Sequence, residues 1–376
     1  MKQITTLFFG LVLSFASVAQ TGNFTYDGVL RDYILHVPSS YNGSTAVPLV
    51  LNLHGYTSDA LAQQGYSEFD QVADTAGFIV VYPNGIANQW NSGFNVPYNS
   101  GTDDVGFLSA LIDTISANYN IDANRVFSTG MSNGGYMSYR LACELDNKIA
   151  AIASVTGSMT PGQVQNCTAL RNVPVLQVHG TADPTVLYNG TAWSLSVDSL
   201  INYWKSRNNC PSSAVVTNIP DIDPTDNCTA TNYYYGLCDN SSEVVLFKID
   251  GGEHTWPGAP VDIGITNHDF SASGEIWDFF YKHPMSTSPS NISDYSNTNG
   301  EVKYYPNPFS NSFTIELDNS KIERLEILNV LGEQMLSVNQ PNANILTFNS
   351  IHFPKGIYLV KIWGEGGTQV TKIIKQ

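Results

Sequence analysis

An alternation of short apolar runs with amphipathic segments restricts the fold of this 376-residue chain more than any other feature. The apolar runs are rich in β-branched residues and end in turn-forming residues, which predicts buried strands: VPLVLNLHG, GFIVVYPNG, NRVFSTG, IAAIASVTG, VPVLQVHG and SEVVLFKIDGG. Amphipathic spacing predicts helices over 67–76, 103–118, 133–144 and 193–207. The alternation predicts an α/β fold, a doubly wound and mostly parallel sheet with helices on both faces. Functional groups of such sheets gather at the carboxyl ends of the strands.

Composition shifts along the chain predict four segments. The first begins with a basic residue, an apolar run and small residues, which is typical of a secretory signal peptide cut after Ala19. The alternating pattern is followed by a linker rich in Ser, Asn, Thr and Pro, and then by alternating apolar residues typical of a small all-β sandwich. The segments are 1–19, 20–283, 284–300 and 301–376. No other stretch has the length and apolarity of a transmembrane helix, so we expect no membrane span.

The formal net charge of −16 is concentrated in one part of the chain. Residues 20–300 carry nine basic and twenty-six acidic side chains, whereas residues 301–376 carry seven of each sign. An acidic domain is repelled by nucleic acids and anionic membranes. We therefore expect neutral partners for the larger domain.

The stretch VFSTGMSNGGYMSYRLA joins a predicted strand to a predicted helix through glycines and one serine. Small residues on both sides of Ser132 permit the tight turn that exposes a nucleophilic hydroxyl above a sheet. The pattern alone also fits an ordinary glycine-rich loop.

The rest of the chain supplies partners for this serine. Asp183 follows the strand VPVLQVHG and His254 follows SEVVLFKIDGG, so nucleophile, acid and base occur in the order of an α/β-hydrolase triad. The backbone N–H groups of Asn133 and Tyr56 are the predicted oxyanion-hole donors. Asp183 also fits a plain turn and His254 a structural histidine. His179, four residues before the acid, is the rival base, although packing within its turn fits it better.

Five cysteines and several acidic residues also carry possible chemistry. Export permits disulfides, and the odd number leaves at least one cysteine unpaired in a monomer. Asp221, Asp223 and Asp226 lack the spacing of a calcium loop, so a solvated turn is the preferred interpretation. We expect no metal and no cofactor.

The motifs LHGYTS, YPNGIANQWNSG, DDVGFL, GMSNGGYMSYRLAC, HGTADPTVLYNG and GGEHTWPG resemble, in order and spacing, the feruloyl-esterase-like and polyhydroxybutyrate-depolymerase-like proteins of the first carbohydrate-esterase family. The resemblance implies a secreted α/β-hydrolase with Ser132, Asp183 and His254 as its triad. It also implies disulfides between Cys143 and Cys167 and between Cys210 and Cys238. Cys228 does not fit that pattern.

The tail resembles a different family. The segments YYPNPFSNSFTIEL, ERLEILNVLGEQML and FPKGIYLVKIWGEGGTQVTKIIKQ resemble the C-terminal sorting domain of the type IX secretion system. This resemblance implies that the secretion machinery is a partner and that the protein is extracellular or on the outer cell surface. A carbohydrate-binding module is the alternative, but the tail has few aromatic residues suited to stacking on sugars.

Together these features predict a serine esterase whose substrates are feruloyl or acetyl esters on xylan-type polysaccharide. The first alternative is a polyhydroxybutyrate depolymerase, and the second is a non-catalytic polymer-binding protein on a hydrolase fold. Four side chains near the motifs are predicted to line the substrate pocket: His54, Trp90, Tyr188 and Trp256.

Overall fold

The computed structural model describes residues 18–94, 98, 101–285, 302–316, 322–329, 334–339, 341, 345–364 and 367–376. The chain divides into two compact units, Met1–Thr287 and Ser288–Gln376. Apart from Val18 and Ala19, the predicted signal peptide lies outside the described residues, as does the predicted linker apart from its first two residues. Both segments stay predictions.

The first unit is built on a ten-stranded sheet. Its strands are β1 (Val18–Tyr26), β2 (Val29–Val37), β3 (Val47–Leu53), β4 (Ile79–Pro83), β5 (Ile121–Met131), β6 (Ala151–Val155), β7 (Val175–Gly180), β8 (Val215–Asn218), β9 (Thr229–Tyr235) and β10 (Val244–Asp250). Their order is β1-β2-β4-β3-β5-β6-β7-β10-β9-β8. The six central strands from β4 to β10 are mutually parallel, and an antiparallel pair flanks them at each edge. The predicted α/β class with a mostly parallel sheet is confirmed.

Helices cover both faces of this sheet. They are α1 (Ala60–Ser67), α2 (Phe69–Ala76), α3 (Asp104–Asn118), α4 (Asn133–Glu144), α5 (Pro161–Asn166), α6 (Val197–Arg207) and α7 (Ala272–Lys282). Leu49 and Leu51 of β3 belong to the core that includes side chains of α3 and α6, whereas the intervening Val50 belongs to the core beneath α2 and α7. Because successive strand residues face opposite sides and both sides are buried, the strand is apolar almost throughout.

The second unit contains two antiparallel sheets. Its strands are β11 (Lys303–Tyr305), β12 (Ser312–Glu316), β13 (Ile322–Asn329), β14 (Gln334–Asn339), β15 (Ile345–Asn349), β16 (Gly356–Gly364) and β17 (Gly367–Lys375). The sheets run β11-β12-β15 and β14-β13-β16-β17. Side chains from both, including Phe313 and Val360, form one buried core, so this unit is a small β-sandwich as predicted. Within the described parts of the whole chain, no helix is long and apolar enough to cross a bilayer.

Candidate active site

Ser132 occupies a strained turn between β5 and α4. Its φ of 53° and ψ of −117° place a non-glycine residue outside the ordinary allowed regions, as a serine held above a strand end requires. The turn packs closely against β3, because a Cβ on Gly134 would lie 2.1 Å from the carbonyl oxygen of Leu53. Only glycine permits this approach, which explains the glycines around the serine.

Asp183 and His254 meet beyond the ends of β7 and β10. The Nδ1–H of His254 donates to Oδ2 of Asp183 over 2.8 Å. The other carboxylate oxygen accepts the backbone N–H groups of Thr185 and Val186, each at 2.8 Å. Asp183 is 2 % exposed and has three donors, so its charge is buried but compensated. With Nδ1 protonated, the lone pair of neutral His254 lies on Nε2.

His179, the rival base, is fully buried and has partners at both ring nitrogens. Its Nε2 lies 2.8 Å from the carbonyl oxygen of Val186, and its Nδ1 lies 2.8 Å from Nε2 of Gln177. Burial lowers the pKa of this imidazole, which favours its neutral form. His179 therefore supports the turn that carries Asp183.

A cavity of about 490 Å³ contains both Ser132 and His254 in its wall. Its lining residues are Gly55, Tyr56, Ser58, Ala62, Gln63, Gly65, Tyr66, Met131, Ser132, His254, Pro260, Val261 and Ile263. His254 is the one member of this set that can carry a positive charge at neutral pH, and the set contains no carboxylate. The cavity therefore suits an uncharged, largely apolar group.

The loop after β10 carries both the imidazole and part of the apolar wall. Glu253 closes this loop, because its N–H donates to the carbonyl of Ile265 and its Oε2 accepts the N–H of Ile265, each at 3.0 Å. Val261 and Ile263 lie in the closed loop and are each 61 % exposed. These two hydrogen bonds, one from the backbone and one to the side chain of Glu253, thus fix the histidine and the cavity wall together.

Two backbone donors beside the serine are free. Neither the N–H of Tyr56 nor that of Asn133 has an acceptor among the residues that the structure describes. Asn133 is the first residue of α4, where backbone N–H groups lack partners within the helix. Free donors of this kind can stabilise a developing oxyanion.

The side chain of Asn133 ties the serine turn to the loop after β4. Its Oδ1 accepts the N–H of Trp90 at 2.6 Å, and its Nδ2 donates to Oγ of Ser92 at 2.9 Å. The indole N–H of Trp90 donates to the carbonyl of His54 at 2.9 Å. This buried network joins Asn133 to the end of β3, next to Tyr56. No motif in the sequence indicates this role for the asparagine side chain.

Three residues that are predicted to line the pocket, His54, Trp90 and Trp256, do not line this cavity. Each is at most 1 % exposed, and none lines the cavity. Nε2 of His54 accepts the N–H of Gly85, and Nε1 of Trp256 donates to Ser273. Tyr188 also lies outside the lining and contacts Asp198 with its hydroxyl. These side chains pack the loops rather than face the cavity.

The cavity lining includes four large side chains that the sequence does not predict there: Tyr66, Met131, Val261 and Ile263. Tyr66 lies on α1, which sequence spacing did not indicate, and Met131 is the residue before the serine. Val261 and Ile263 follow the GGEHTWPG motif in a loop without periodic spacing. The sequence feature that could have placed these two residues near the site is their closeness along the chain to the histidine motif.

The structure contains two disulfides, Cys143–Cys167 and Cys210–Cys238. The first links the end of α4 to the segment after α5. Cys228 is a buried free thiol, and burial raises its pKa to about 12. Among the described residues, no group of three or more His, Cys, Asp or Glu side chains is arranged to hold a metal ion.

Comparisons with known proteins identify both units. Residues 31–199 match the family model described as Esterase PHB depolymerase, and residues 303–376 match the secretion system C-terminal sorting domain. The chain is 32 % identical over 253 residues to the bifunctional acetylxylan esterase/xylanase XynS20E of Neocallimastix patriciarum, covering 67 % of this chain and 33 % of that protein. It is 29 % identical over 228 residues to feruloyl esterase B of Piromyces equi, covering 60 % and 42 %. The chain thus spans less than half the length of these two relatives.

Among solved structures, the acetyl xylan esterase from Aspergillus awamori superposes with a TM-score of 0.50 at 15 % identity, covering 70 % of this chain and 99 % of that one. At this identity the likeness concerns the fold alone. The sequence matches and the observed architecture agree on both units. The α/β-hydrolase unit is therefore similar in sequence to the PHB depolymerase esterases and to feruloyl and acetylxylan esterases, and the second unit matches a secretion-system C-terminal sorting domain.

Proposed function

We propose that this protein is a secreted serine esterase that cleaves carboxylic esters through an acyl-enzyme at Ser132. The observation that carries the proposal is the bond between Asp183 and Nδ1 of His254, with His254 and Ser132 in the wall of one cavity. The sorting domain agrees with action outside the cell.

The reaction proceeds in two acyl-transfer steps. Oγ of Ser132 attacks the ester carbonyl carbon while Nε2 of His254 takes the hydroxyl proton. Collapse of the tetrahedral intermediate breaks the ester bond, and the imidazolium protonates the departing alcohol. Water then attacks the acyl-enzyme with the same base, which releases the acid and regenerates the serine. Asp183 keeps the proton on Nδ1 and stabilises the imidazolium.

The N–H groups of Tyr56 and Asn133 stabilise the negative oxygen of each tetrahedral intermediate. Removing one such donor from other hydrolases lowers turnover by about 10²–10³. The absence of competing acceptors for these two groups among the described residues supports the assignment.

The substrates are feruloyl or acetyl esters on xylan-type polysaccharide, with the feruloyl group favoured. A volume of about 490 Å³ falls within the range of pockets that hold ligands much larger than acetate. Tyr66 offers aromatic surface for a flat acyl group. The names of the relatives support both acyl groups, and the negative charge of the hydrolase unit favours a neutral polysaccharide.

The test is turnover of methyl ferulate by Ser132→Ala. We expect a loss of roughly four to six orders of magnitude with unchanged unfolding, because the triad acts as a unit. Ser58→Ala is the matched control, since this serine also lines the cavity but has no proposed role in bond cleavage. Activity that survives Ser132→Ala would refute the mechanism, and a wild-type enzyme inactive on all esters would favour a non-catalytic polymer-binding protein.

A polyester depolymerase is the second candidate, favoured by the exposed Val261 and Ile263 in the cavity wall and by the family match. The two candidates are separated by kcat/KM on methyl ferulate, acetylated xylan and 3-hydroxybutyrate oligomers. At least tenfold selectivity for the oligomers, about 1.4 kcal/mol of transition-state binding, would favour the depolymerase.

A further inference from the structure

A row of three aromatic rings leads away from the cavity that holds Ser132. The ring of Phe94 lies 6.3 Å from that of Tyr56 and 5.2 Å from that of Trp193, measured between centroids. Both contacts are edge-to-face, a favourable arrangement for aromatic pairs. Tyr56 lines the cavity, whereas Phe94 and Trp193 lie outside its lining. The row therefore begins at the reaction site and continues beyond it.

The two end rings are open to solvent and the middle ring is not. Tyr56 is 46 % exposed and Trp193 is 44 % exposed, whereas Phe94 is only 8 % exposed. Phe94 also packs on the buried ring of Tyr136 at 5.2 Å. A buried phenylalanine thus supports two exposed rings, which lie within about 12 Å of each other given the two ring distances. Isolated exposed aromatics need no explanation, but a supported pair beside a catalytic cavity does.

The loop that presents Trp193 is held firmly. The N–H of Thr191 donates to the carbonyl of Ser194 at 2.8 Å, and the N–H of Leu195 donates to the carbonyl of Met159 at 2.9 Å. The hydroxyl groups of Tyr136 and Ser194 are hydrogen-bonded to each other. Because the loop is fixed at several points, little conformational entropy is lost when a ligand contacts the indole ring.

The chemistry of the exposed rings indicates the ligand. The indole N–H of Trp193 and the hydroxyl of Tyr56 have no partner among the described residues, so each ring offers an apolar face and a free polar edge. A sugar ring matches this combination, with C–H groups on its face and hydroxyls at its rim. A polyester has carbonyl oxygens that can accept from both edges, but it lacks the ring with a C–H face that stacks on an aromatic side chain, and an anionic polymer is disfavoured by the acidic hydrolase unit.

We propose that Tyr56 and Trp193, supported by Phe94, form a glycan-binding surface that holds the neutral polysaccharide on the alcohol side of the ester. The inference rests on the proposed esterase function and assigns different surfaces to the two halves of the substrate. The acyl group occupies the cavity lined by Met131, Val261 and Ile263. The sugar chain extends along the aromatic row, which a short oligosaccharide spans.

The kinetic test compares a small ester with a polymeric one. Trp193→Ala is expected to lower kcat/KM on feruloylated arabinoxylan by about fivefold to tenfold, mainly through KM, and to leave kcat/KM on methyl ferulate within twofold. Trp193→Phe retains a ring without the N–H and is expected to recover part of the loss. Tyr281→Ala is the matched control, because this ring is 61 % exposed on α7 and lies outside the cavity lining. Equal losses on both substrates, or no loss on the polymer, would overturn the proposal.

A binding test examines the proposed glycan surface independently of ester cleavage. Full-length Ser132→Ala is run through gels containing deacylated arabinoxylan, with and without Trp193→Ala. We expect retardation of the single variant and at least a threefold weaker retardation of the double variant. Equal retardation, or none for either protein, would refute the glycan surface. An enzyme inactive on every ester but retarded through Trp193 would refute the esterase function alone.

Discussion

Replacing Asn133 by alanine tests whether the buried network behind the oxyanion donors sets the rate. The change removes the acceptor of the Trp90 N–H and the donor to Ser92. Asn133 and Trp90 are 1 % and 0 % exposed, so water does not replace the lost partners without rearrangement. An unsatisfied buried N–H costs about 1–3 kcal/mol, and the second bond adds about 1 kcal/mol. We expect the free energy of unfolding to fall by about 2–4 kcal/mol.

The effect on catalysis follows from the connection to β3. Trp90 joins Asn133 to His54 through its indole N–H, and the proposed second donor, Tyr56, is two residues beyond His54. Loosening this connection misaligns the donors without removing them, so we expect kcat to fall about tenfold to a hundredfold, less than the loss of a whole donor. KM is expected to stay within threefold, because the Asn133 side chain does not line the cavity.

The assay combines urea unfolding with steady-state kinetics on methyl ferulate. Asn208→Ala is the matched control: this asparagine is also fully buried, and its Nδ2 donates to the carbonyl of Val173 at 2.7 Å, away from the cavity lining. The control should lose stability with an unchanged kcat. A destabilised Asn133→Ala enzyme that retained the wild-type kcat would show that the network only supports folding.

Three further outcomes are expected. Asp183→Asn should lower kcat by about 10⁴ with little change in KM, because the amide no longer holds the proton on Nδ1 of His254; single-turnover kinetics would check this. Burial holds the pKa of His179 below its usual 6.5, so on acidification the histidine of the unfolded chain is protonated before that of the folded chain. The free energy of unfolding should therefore decrease as pH falls below about 6.5, which urea titrations at pH 8 and pH 5.5 would measure. His179→Gln should reduce the difference in stability between these two pH values. Replacing both Cys143 and Cys167 by serine should lower the free energy of unfolding by about 3 kcal/mol, and a loss within error of zero would contradict the entropic argument.

The central sheet and the helix after the serine follow from sequence because their signals are local and repeated. The predicted helix over 133–144 coincides with α4, and the predicted helix over 103–118 begins one residue before α3. Strands buried on both faces are nearly continuous apolar runs, which marks β3, β4 and β7 clearly.

The edge strands and the start of α6 were harder to recognise. β8 (Val215–Asn218) is exposed along its whole length, so it shows no alternation between apolar and polar residues. β1 and β2 form the opposite edge, where polar residues interrupt the pattern. The predicted helix over 193–207 begins four residues too early, because Ser196 caps α6 and the preceding residues form the loop that presents Trp193.

The order of the triad candidates follows from the sequence, whereas the residues that line the cavity do not. Each triad candidate follows a strand and the carboxyl ends of parallel strands share one edge of the sheet, so topology alone brings such residues near each other. A loop side chain has no comparable constraint. Val261 and Ile263 lie in the cavity wall because Glu253 and Ile265 close their loop, a pairing over 12 residues that no periodic pattern reveals.

The tryptophans show in physical terms why an aromatic residue in a loop does not by itself indicate a substrate pocket. Trp90 and Trp256 are buried, and each indole N–H has a protein acceptor, the carbonyl of His54 and the hydroxyl of Ser273. Trp193 is exposed and its indole N–H has no acceptor among the described residues. Burying an indole N–H without an acceptor costs free energy, which favours a protein partner for it, whereas an indole exposed to solvent pays no such cost. The three residues look alike in sequence, since each lies in or just after a motif loop, and burial together with the pairing of the indole N–H separates Trp193 from the other two.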